Sequence, residues 1–418
     1  MTASAWWASL ARFGMRPGLD RIAALMDRLD HPERAFGAVH VAGTNGKGST
    51  SALIAEGLAA AGLAVGLTTS PDLGEERERV RIAGRLVPAE LWAQAREVVE
   101  WAARTLAEPP TLFEAQIAAA FWCFREARVD AAVVEVGLGG RYDATNILPP
   151  PWVTVLTPVA RDHEAVLGNT LEAIARDKTG VLKPGSRLVT APQAPPVRRV
   201  VVEAARAVGI PVRWARPQEV TSDADGVSAV VDGRRVRTRL LGRHQAVNLA
   251  TAWLALDWLA ERAGLDRDAL AHGVAQARWP GRLERVDGEP PVVLDAAHNL
   301  HGARALAHAL AEPHLARPWE LVFGVLDDKP GPAMVRVLAP RVRRIVLTRP
   351  ASARAQDPAV IAAAGPYGRP VTVEPDWSAA LDQALAAAGP HGAVLVAGST
   401  YLVGPVRRRL VGSGGVEG

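Results

Sequence analysis

A glycine-rich segment near the N-terminus is the strongest candidate for chemistry in the sequence. Residues 41–50 read Val-Ala-Gly-Thr-Asn-Gly-Lys-Gly-Ser-Thr, between an apolar stretch and a helix-like stretch. Backbone N–H groups of such a turn can face phosphate oxygens, and Lys47 can reach the terminal phosphates. The segment is shorter than the usual G-x-x-x-x-G-K-[ST] pattern and has Gly48 after the lysine. It predicts a nucleotide-binding loop, with a ligand-free tight turn as the alternative.

Lysine is rare in this chain, which makes each lysine informative. Surface cations are nearly always arginine, so a lysine indicates a position that needs a compact ammonium or a reactive amine. The lysines among the 48 basic residues are Lys47, Lys178, Lys183 and Lys329. Lys178 lies on a predicted helix that Asn169 or Thr170 caps. An exposed helix lysine is the alternative at this position.

Two polar side chains are associated with predicted strands. Glu135 interrupts an otherwise apolar strand at 130–136, where a carboxylate is costly unless it is paired or bound to a metal. Mg²⁺ prefers such a carboxylate, with phosphate oxygens and waters as its other ligands. Backbone N–H groups of the following glycine turn are the alternative partners. His163 follows the next strand and is either a metal ligand or a loop histidine.

Four other segments carry candidates that each have a structural alternative. Thr111 and Glu114 form a T-x-x-E capping box, which by itself explains both polar residues. Asn248 is a candidate amide reader of a base, or a helix cap. Asp295 ends a predicted strand, where it is placed to bind ribose or phosphate, or to pack in an Asp-His loop pair. Arg282 lies at a predicted hinge, or is a surface arginine.

The elements that must position these residues alternate between strands and helices. Strands are predicted at 38–42, 63–69, 130–136 and 151–157, and helices at 49–61 and 111–127. This alternation favours a parallel sheet covered by helices. Around 227–241 the period changes to simple alternation, and Asp-Gly at 232–233 predicts a β-hairpin.

A second unit follows the Trp-Pro-Gly-Arg segment at 279–282. Residues 284–291 are polar and end in two prolines, so we expect a linker there. Predicted strands follow at 292–295, 320–325, 344–348, 371–374 and 393–397, separated by alanine-rich helices. The predicted fold class is therefore α/β. An N-terminal P-loop-type parallel-sheet ATPase domain spans 1–283, and a smaller C-terminal Rossmann-like α/β domain spans 284–418.

The composition excludes several classes of protein. The chain has 418 residues, of which 49% are hydrophobic and 22% charged, as in ordinary globular proteins. A net charge of +4 is too dilute to indicate nucleic-acid binding. Cys123 is the single cysteine, so no intramolecular disulfide forms. The best apolar run, 51–69, contains Glu56, and residues 1–16 lack a basic signal-peptide start. We expect a cytoplasmic protein without membrane or nucleic-acid partners.

Ten segments, taken in order, resemble the folylpolyglutamate synthase/dihydrofolate synthase family of the Mur ligase superfamily. They are residues 18–21, 40–50, 69–71 with 78–80, 111–114, 135–141 with 143–146, 162–163, 241–245, 280–284, 323–326 with 328–329, and 398–399 with 401–404. Each segment alone is weakly or moderately specific for the family. Their occurrence in the same order over nearly the whole chain is highly specific. The Gly48-Ser49 ending is similar to this family, whereas muramyl ligases usually have two hydroxyl residues after the lysine.

The resemblance implies an ATP-dependent ligase that forms an acyl phosphate. It would join L-glutamate to dihydropteroate, to the glutamate tail of reduced folates, or, as a bifunctional enzyme, to both. The implied cofactors are ATP and two Mg²⁺ ions, and the resemblance suggests a monomer.

The resemblance also implies roles for individual residues. ATP contacts are implied at Asn45, Gly46, Lys47, Gly48, Ser49, Asn248, Arg282 and Asp295. Mg²⁺ ligands are implied at Ser70, Glu135 and His163. The pterin site is implied at Gly18, Leu19, Asp20, Arg21, Thr111, Leu112, Phe113, Glu114, Tyr142, Asp143 and Ala144. Catalytic roles are implied for Lys47, Lys178 and His298, and Lys178 resembles a lysine that CO₂ carbamylates.

The chain departs from the family pattern at four positions, and two other functions stay open. The departures are Asp72, Thr179, Ala296 and Leu300, of which Asp72 removes a possible cationic contact to the substrate. One alternative is another Mur-type amide ligase, such as a muramyl ligase. Those usually carry a separate domain ahead of the phosphate loop, for which about 42 residues are too few. The other alternative is a P-loop ATP-binding module that does not ligate.

Overall fold

The computed structural model describes residues 3–14 and 16–412, which form three β-sheets and the helices around them. Met1, Thr2, Met15 and residues 413–418 lie outside the described residues. The predictions for residues 1–16 and for the domains 1–283 and 284–418 are therefore not covered at these positions. The first sheet has eight strands in the order β4-β3-β2-β5-β1-β6-β7-β8. They are β1 (Gly37–Ala42), β2 (Val65–Thr68), β3 (Val80–Ile82), β4 (Arg85–Leu86), β5 (Ala131–Glu135), β6 (Val153–Leu156), β7 (Leu188–Thr190) and β8 (Val212–Trp214).

Strand β1 lies inside the sheet, at the point where the strand order reverses: β2 and β5 lie on one side of it, and β6, β7 and β8 on the other. It pairs in parallel with β5 on one edge and with β6 on the other. Strand β5 is buried along its whole length, which explains its apolar sequence, because a parallel strand covered on both faces has no solvent side. In such sheets ligands bind beyond the carboxyl ends of the strands at this reversal. The phosphate-loop candidate follows β1 directly.

The helices around this sheet confirm the predicted alternation. They are α1 (Ala3–Leu10), α2 (Asp20–Arg28), α3 (Lys47–Ala60), α4 (Ala89–Ala103), α5 (Leu112–Glu126), α6 (Glu164–Leu167), α7 (Leu171–Lys178), α8 (Pro195–Val208), α9 (Gln245–Ala263) and α10 (Arg267–Gln276). Helix α3 begins two residues before the predicted start. Thr111 and Glu114 form the predicted capping box of α5, with reciprocal bonds of 3.2 and 2.6 Å. Thr170 caps α7.

A small antiparallel sheet confirms the predicted hairpin and adds a strand. It consists of β9 (Gln218–Asp223), β10 (Gly226–Val231) and β11 (Arg234–Thr238). Asp232 and Gly233 both have positive φ, 46° and 81°, as a two-residue turn between β10 and β11 requires. Strand β9 was not predicted, because its mostly polar sequence does not alternate clearly.

The C-terminal sheet contains all five predicted strands and one more. Its order is β12-β13-β17-β14-β15-β16. The strands are β12 (Glu284–Val286), β13 (Val292–Asp295), β14 (Trp319–Phe323), β15 (Val342–Leu347), β16 (Val371–Val373) and β17 (Ala393–Ala397). Helices α11 (Leu300–Ala309), α12 (Gly331–Leu338), α13 (Pro358–Ala363), α14 (Trp377–Ala388) and α15 (Thr400–Val411) accompany them.

The predicted linker at 284–291 is wrong over its first three residues. They form β12, which pairs antiparallel with β13 at the edge of the sheet. The Glu284 carboxylate is held by other parts of the protein: it accepts hydrogen bonds from Arg407 Nε and from the backbone N–H of Gly281. The α/β fold class with two unequal sheet domains is confirmed. The exact division at 283/284 stays a prediction.

Candidate active site

The loop between β1 and α3 is built as a phosphate-binding turn. Gly43 and Gly46 have φ of 139° and 85°, in the region that favours glycine. A Cβ on Gly43 would lie 2.0 Å from Thr157 Oγ1, and one on Gly46 would lie 2.3 Å from Asn248 Oδ1. The buried Ser49 hydroxyl in the first turn of α3 has no hydrogen-bond partner in the described structure. The first N–H groups of α3, which have no intrahelical partner, and the Ser49 hydroxyl are therefore available to contact phosphate oxygens.

Lys47 and Glu135 lie side by side above this loop. Lys47 Nζ donates to the Thr44 carbonyl at 3.3 Å and lies 3.9 Å from Glu135 Oε1. Glu135 Oε2 accepts a bond of 3.1 Å from the backbone N–H of Ser70. Burial raises the pKa of Glu135, while Lys47 and the Ser70 amide oppose that shift.

Glu135 is thus not held by the glycine turn that follows it. In that turn the N–H of Leu138 donates to Asp143 instead, at 2.8 Å. One backbone hydrogen bond and an ion pair with Lys47 at 3.9 Å leave this buried carboxylate with unused acceptor capacity. That is the arrangement expected of a carboxylate that takes a further cation.

Lys178, at the end of α7, is buried and points at the phosphate loop. Only 5% of the residue is exposed, and its Nζ donates to the Gly43 carbonyl at 2.8 Å. Burial is the main reason why its pKa falls to about 7, and the positive charge of Lys47 adds to the effect. The alternative of an exposed helix lysine is therefore wrong.

Asp162 connects the two sheet domains beside His163. Its Oδ1 accepts from Lys329 Nζ at 2.6 Å, and its Oδ2 accepts from Asn299 Nδ2 at 2.8 Å. Burial would raise the pKa of the Asp162 carboxyl, but the hydrogen bond from His298 and the nearby basic groups, Lys329 among them, hold it well below its usual range. The pKa of His163 falls to about 4, chiefly through burial, so its imidazole is neutral at pH 7 and able to bind a metal.

An amide pair adds a second connection between the domains. Asn45 and Asn299 exchange two side-chain bonds of 3.2 and 2.9 Å, and Asn299 also caps α11. Asp162, Asn299 and Lys329 were absent from the candidate site residues. The signal that could have found Lys329 was its rarity, because three of the four lysines lie at this site.

The candidate ATP contacts of the C-terminal half border the same space as the loop. Asn248 does not cap α9, because its amide donates to Gln245 Oε1 at 2.7 Å from within the helix. Asp295 accepts from the backbone N–H groups of Leu283 and Ala297, at 3.0 and 2.9 Å, and so fixes the hinge segment. His298 Nδ1 bonds the Ala296 carbonyl at 2.9 Å, and its Nε2 lies 3.6 Å from Asp162 Oδ2, so His298 pairs with Asp162 rather than with Asp295.

One cavity of about 610 Å³ collects these candidates from across the chain. Its lining includes Asn45, Gly46, Lys47, Gly48, Ser49, Ser70, Glu135, His163, Lys178, Asn248, Arg282, Asp295 and His298. Every residue implied as an ATP contact, Mg²⁺ ligand or catalytic group thus borders one space. We name it the nucleotide cavity.

A second cavity, of about 750 Å³, contains most of the candidate pterin site. Its lining includes Thr111, Leu112, Phe113, Glu114, Tyr142, Asp143 and Ala144. Gly18, Leu19, Asp20 and Arg21 are not among the described residues that line it; Gly14, Arg16 and Pro17 are. Arg21 instead makes a bidentate pair with Glu114, at 3.2 and 3.0 Å. We name this space the substrate cavity.

Asp143 is held rigidly in the substrate cavity. Its Oδ1 accepts from the backbone and the hydroxyl of Thr145, at 3.0 and 2.5 Å. The Thr145 hydroxyl also bonds Nε2 of the buried His40 at 2.8 Å. Burial raises the pKa of Asp143, and these hydrogen bonds oppose that shift.

The departure at Asp72 has a local partner. Asp72 Oδ2 accepts from Arg79 Nε at 2.6 Å, and Arg79 lines the substrate cavity. Asp72 therefore orients an arginine, Arg79, that supplies a positive charge to the cavity.

The two cavities share a wall. Ser70, His163 and His298 border both of them. A phosphate held by the loop and a carboxylate in the substrate cavity would meet at this wall. Among the described residues, no group of three or more His, Cys, Asp or Glu is arranged to hold a metal by itself.

Comparisons with known proteins agree with the geometry. Residues 281–400 match the family described as the Mur ligase, glutamate ligase domain. The chain is 36% identical to the dihydrofolate synthase/folylpolyglutamate synthase of Bacillus subtilis, over 98% of both chains. It resembles the solved folylpolyglutamate synthase of Mycobacterium tuberculosis, complexed with ADP and AMPPCP, with a TM-score of 0.89 and 31% identity over 98% of this chain and 99% of that one.

A second solved structure is also similar over the whole chain. Escherichia coli FolC in complex with DHPP and ADP superposes with a TM-score of 0.87 at 29% identity, over 98% of this chain and 97% of that one. In the described part of the present chain, no helix is both long and apolar enough to span a membrane.

Proposed function

The chain belongs to the folylpolyglutamate synthase/dihydrofolate synthase family, and from this premise we propose how its site works as an ATP-dependent ligase. The enzyme joins the amine of L-glutamate to the carboxylate of dihydropteroate and to that of the glutamate tail of reduced folates. The observation that carries the proposal is the wall shared by the nucleotide and substrate cavities. It supports direct transfer between ATP and a bound acid.

The reaction takes two steps at this wall. A carboxylate oxygen of the acceptor attacks the γ-phosphorus of ATP, the bond to the β,γ-bridging oxygen breaks, and an acyl phosphate and ADP form. The glutamate amine then attacks the acyl carbon and loses a proton as inorganic phosphate leaves. Lys47 and the loop N–H groups orient the phosphates and offset their charge, which is the main catalytic contribution in phosphoryl transfer.

The other ATP contacts lie around the same cavity. Asn248, against Gly46, would read the nucleotide from α9, and Arg282 and Asp295 would contact it from the hinge. His298 borders both cavities, where it would lie close to the nucleotide and to the incoming glutamate. Because these groups come from both sheet domains, bound ATP would hold the domains together over the site.

Ser70, Glu135 and His163 fit Mg²⁺ that arrives with the nucleotide. They offer a hydroxyl, a carboxylate with spare acceptor capacity and a neutral imidazole on one cavity. Mg²⁺ keeps several waters and completes its shell with phosphate oxygens, so three protein ligands are enough for one or two ions. Bound Mg²⁺ would supply neutralisation of the phosphate charge.

Lys178 is the proposed site of carbamylation. With a pKa of about 7, a large fraction of its amine is neutral at physiological pH. The neutral nitrogen attacks the carbon of CO₂, an N–C bond forms, one proton passes to solvent, and the side chain becomes an anion. Such an anion would face Lys47 and the metal site from the wall of the nucleotide cavity.

The substrate cavity supports the pterin assignment in part. Thr111 to Glu114 and Tyr142 to Ala144 line it, whereas residues 18–21 do not, and Arg21 contacts its lining through the pair with Glu114. We also propose a monomeric, cytoplasmic enzyme, which equilibrium sedimentation and cell fractionation would test.

The test is ADP release with Mg-ATP and L-glutamate, with either dihydropteroate or a reduced monoglutamyl folate as acceptor. We expect glutamate-dependent turnover with both acceptors, the result for a bifunctional enzyme. Turnover with one acceptor alone would overturn bifunctionality and keep the ligase. ATP binding without turnover on either acceptor would favour a non-ligating module or another Mur-type ligase. Omitting glutamate is the matched control.

A further inference from the structure

A further cavity is larger than either of the two that form the candidate active site. It has a volume of about 1190 Å³ and lies behind the segment that joins the domains. Its walls come from helix α3, the β3–β4 turn, the small antiparallel sheet, residues 275–285 and helix α15. Arg282 borders both this space and the nucleotide cavity. We name it the hinge cleft.

Arginine dominates the lining of the hinge cleft. Five exposed arginines border it: Arg85, Arg237, Arg239, Arg278 and Arg285. Across residues 3–14 and 16–412, none of the five has a carboxylate within the 4.0 Å of an ion pair. They come from three separate chain segments, so the fold, not a local run of sequence, brings them together.

Three more arginines lie deeper in the cleft. The Nε of Arg81 is buried without a hydrogen-bond partner in the described structure, and its Nη1 reaches only the Gly84 carbonyl, at 3.2 Å. Burial lowers the pKa of Arg81, while Glu56 and Glu78 oppose the shift. Arg282 Nη1 donates to the Gly281 carbonyl at 2.9 Å. Arg407 is engaged by Glu284, at 2.8 Å.

The carboxylates of the cleft do not balance these cations. They are Glu56, Asp225 and Glu284, against eight guanidinium groups. Glu284 is already used by Arg407 and the Gly281 amide, and burial raises the pKa of Glu56 while Arg81 opposes that shift. Guanidinium groups gathered without counter-charges repel one another and attract anions. Each also presents a planar fork that matches a carboxylate or phosphate.

We propose that the hinge cleft binds a chain-like polyanion with several carboxylates. The cleft exceeds the nucleotide cavity in volume, and its arginines stand on several walls, so one small anion would satisfy only a few of them. Given the proposed function, a γ-linked oligoglutamate is the polycarboxylate that the enzyme itself would extend. A chain of this kind carries one α-carboxylate per residue and can reach successive arginines.

The cleft joins the two proposed domains. Arg85, Arg237, Arg239 and Arg278 belong to 1–283, whereas Arg285 belongs to 284–418. A polyanion that reaches both sides would tie the domains together next to Arg282. The site would therefore let tail length influence the hinge without contact with the reacting atoms.

The experiment is titration calorimetry of the full chain, saturated with Mg-ADP, with γ-penta-L-glutamate, L-glutamate or tripolyphosphate. The test variant combines Arg85→Gln, Arg237→Gln, Arg239→Gln and Arg285→Gln. The control variant combines Arg206→Gln, Arg216→Gln, Arg341→Gln and Arg343→Gln, which removes the same charge from exposed arginines outside the cleft. None of these residues contributes to the proposed catalytic site.

We expect the pentaglutamate to bind the wild type at least ~10-fold more tightly than glutamate, and the test variant to lose at least ~10-fold in Kd. The control variant should stay within about 2-fold. Absence of pentaglutamate binding, or equal losses in both variants, would overturn the site. Tighter binding of tripolyphosphate than of pentaglutamate would overturn its assignment to carboxylates.

A ligase assay separates this proposal from the proposed function. The test variant should keep ADP release with a monoglutamyl acceptor within about 2-fold of the wild type. Cleft-dependent pentaglutamate binding by a chain without ligase activity would support the polyanion site and overturn the proposed function. Normal ligase activity without that binding would do the reverse.

Discussion

The nucleotide cavity and the hinge cleft meet at Arg282 and hold positive charge in different ways. Lys47 and Lys178 line the nucleotide cavity and Lys329 lines the adjoining substrate cavity, and a carboxylate or carbonyl oxygen lies near each ammonium group. In the hinge cleft, by contrast, the described cations are all arginines, and Arg407 alone has a carboxylate within ion-pair distance.

This difference separates two uses of a cation. An amine in a buried, partnered environment has a pKa that the surroundings can tune, so it can act in proton balance or react with CO₂. A guanidinium stays charged and serves to bind anions. The chain uses lysine where the proposed chemistry needs a tunable group and arginine where binding is enough.

The largest expected effect is a loss of stability in acid, caused by the buried His40 behind the substrate cavity. His40, which supports Asp143 through Thr145, is buried, and burial, aided by Lys183, lowers its pKa to about 3. A histidine in the unfolded chain titrates near 6.5, so between pH 6.5 and 3 the unfolded state binds the extra proton. This group is therefore expected to lower the free energy of unfolding by about 5 kcal/mol as pH falls through that window.

Denaturant unfolding at a series of pH values would measure this loss. His40→Gln should flatten the pH dependence, whereas His272→Gln, at an exposed position, should leave it unchanged. An unaltered slope in His40→Gln would show that His40 does not carry the effect.

Removing the negative charge of Glu135 should give the largest loss of activity. Glu135→Gln keeps the shape of the side chain but cannot offset Mg²⁺ or Lys47. We expect turnover to fall at least ~100-fold, the scale of losing one preorganised electrostatic group. Steady-state ADP release measures it, with Glu97→Gln on the exposed face of α4 as the control. Near-wild-type turnover would refute the metal assignment.

Substituting Lys178 tests whether this lysine of the nucleotide cavity carries a carbamate. Lys178→Ala should lose up to ~100-fold in turnover and recover part of it with added formate or acetate, which would replace the carbamate. Lys183→Met is the control, because Lys183 donates to the carbonyls of Asn146 and Leu148 outside the cavity and should not respond. If formate does not raise the turnover of Lys178→Ala, the proposal that Lys178 is carbamylated is refuted.

The smallest expected effect is at Asp72. Asp72→Asn would free Arg79 from its partly exposed ion pair, whose strength is ~0.2–1 kcal/mol. The KM for the folate acceptor should change by about 2- to 5-fold with kcat unchanged. Asp382→Asn, which breaks the Arg409 pair far from the cavity, is the control and should change neither constant. A fall in kcat alone would mean that Arg79 does not act on acceptor binding.

Sequence patterns predicted the parts of the fold that depend on local order. Strand β5 and the β10–β11 hairpin are set by apolar runs and a two-residue turn, which a short window contains. Strand β12 was missed because its pairing with β13 is decided by the fold, and its polar residues before two prolines look like a linker. The third strand of the small sheet was missed for a similar reason.

The candidate site shows the same limit. Lys47, Glu135 and Lys178 stood out because their residue types are unusual where they occur. Asp162 and Asn299 did not, because their importance comes from a contact between residues 137 positions apart. The hinge arginines are dispersed among 44 arginines in the sequence, and only the fold separates them from ordinary surface charge.

The most direct test of the account follows an oxygen atom. Dihydropteroate labelled with ¹⁸O in its carboxylate is incubated with the enzyme, Mg-ATP and L-glutamate, and the released phosphate is analysed by mass spectrometry. The account predicts one ¹⁸O in each phosphate, because the acceptor oxygen that attacks ATP leaves with the phosphate. Amide product with unlabelled phosphate would contradict an acyl phosphate formed where the nucleotide and substrate cavities meet.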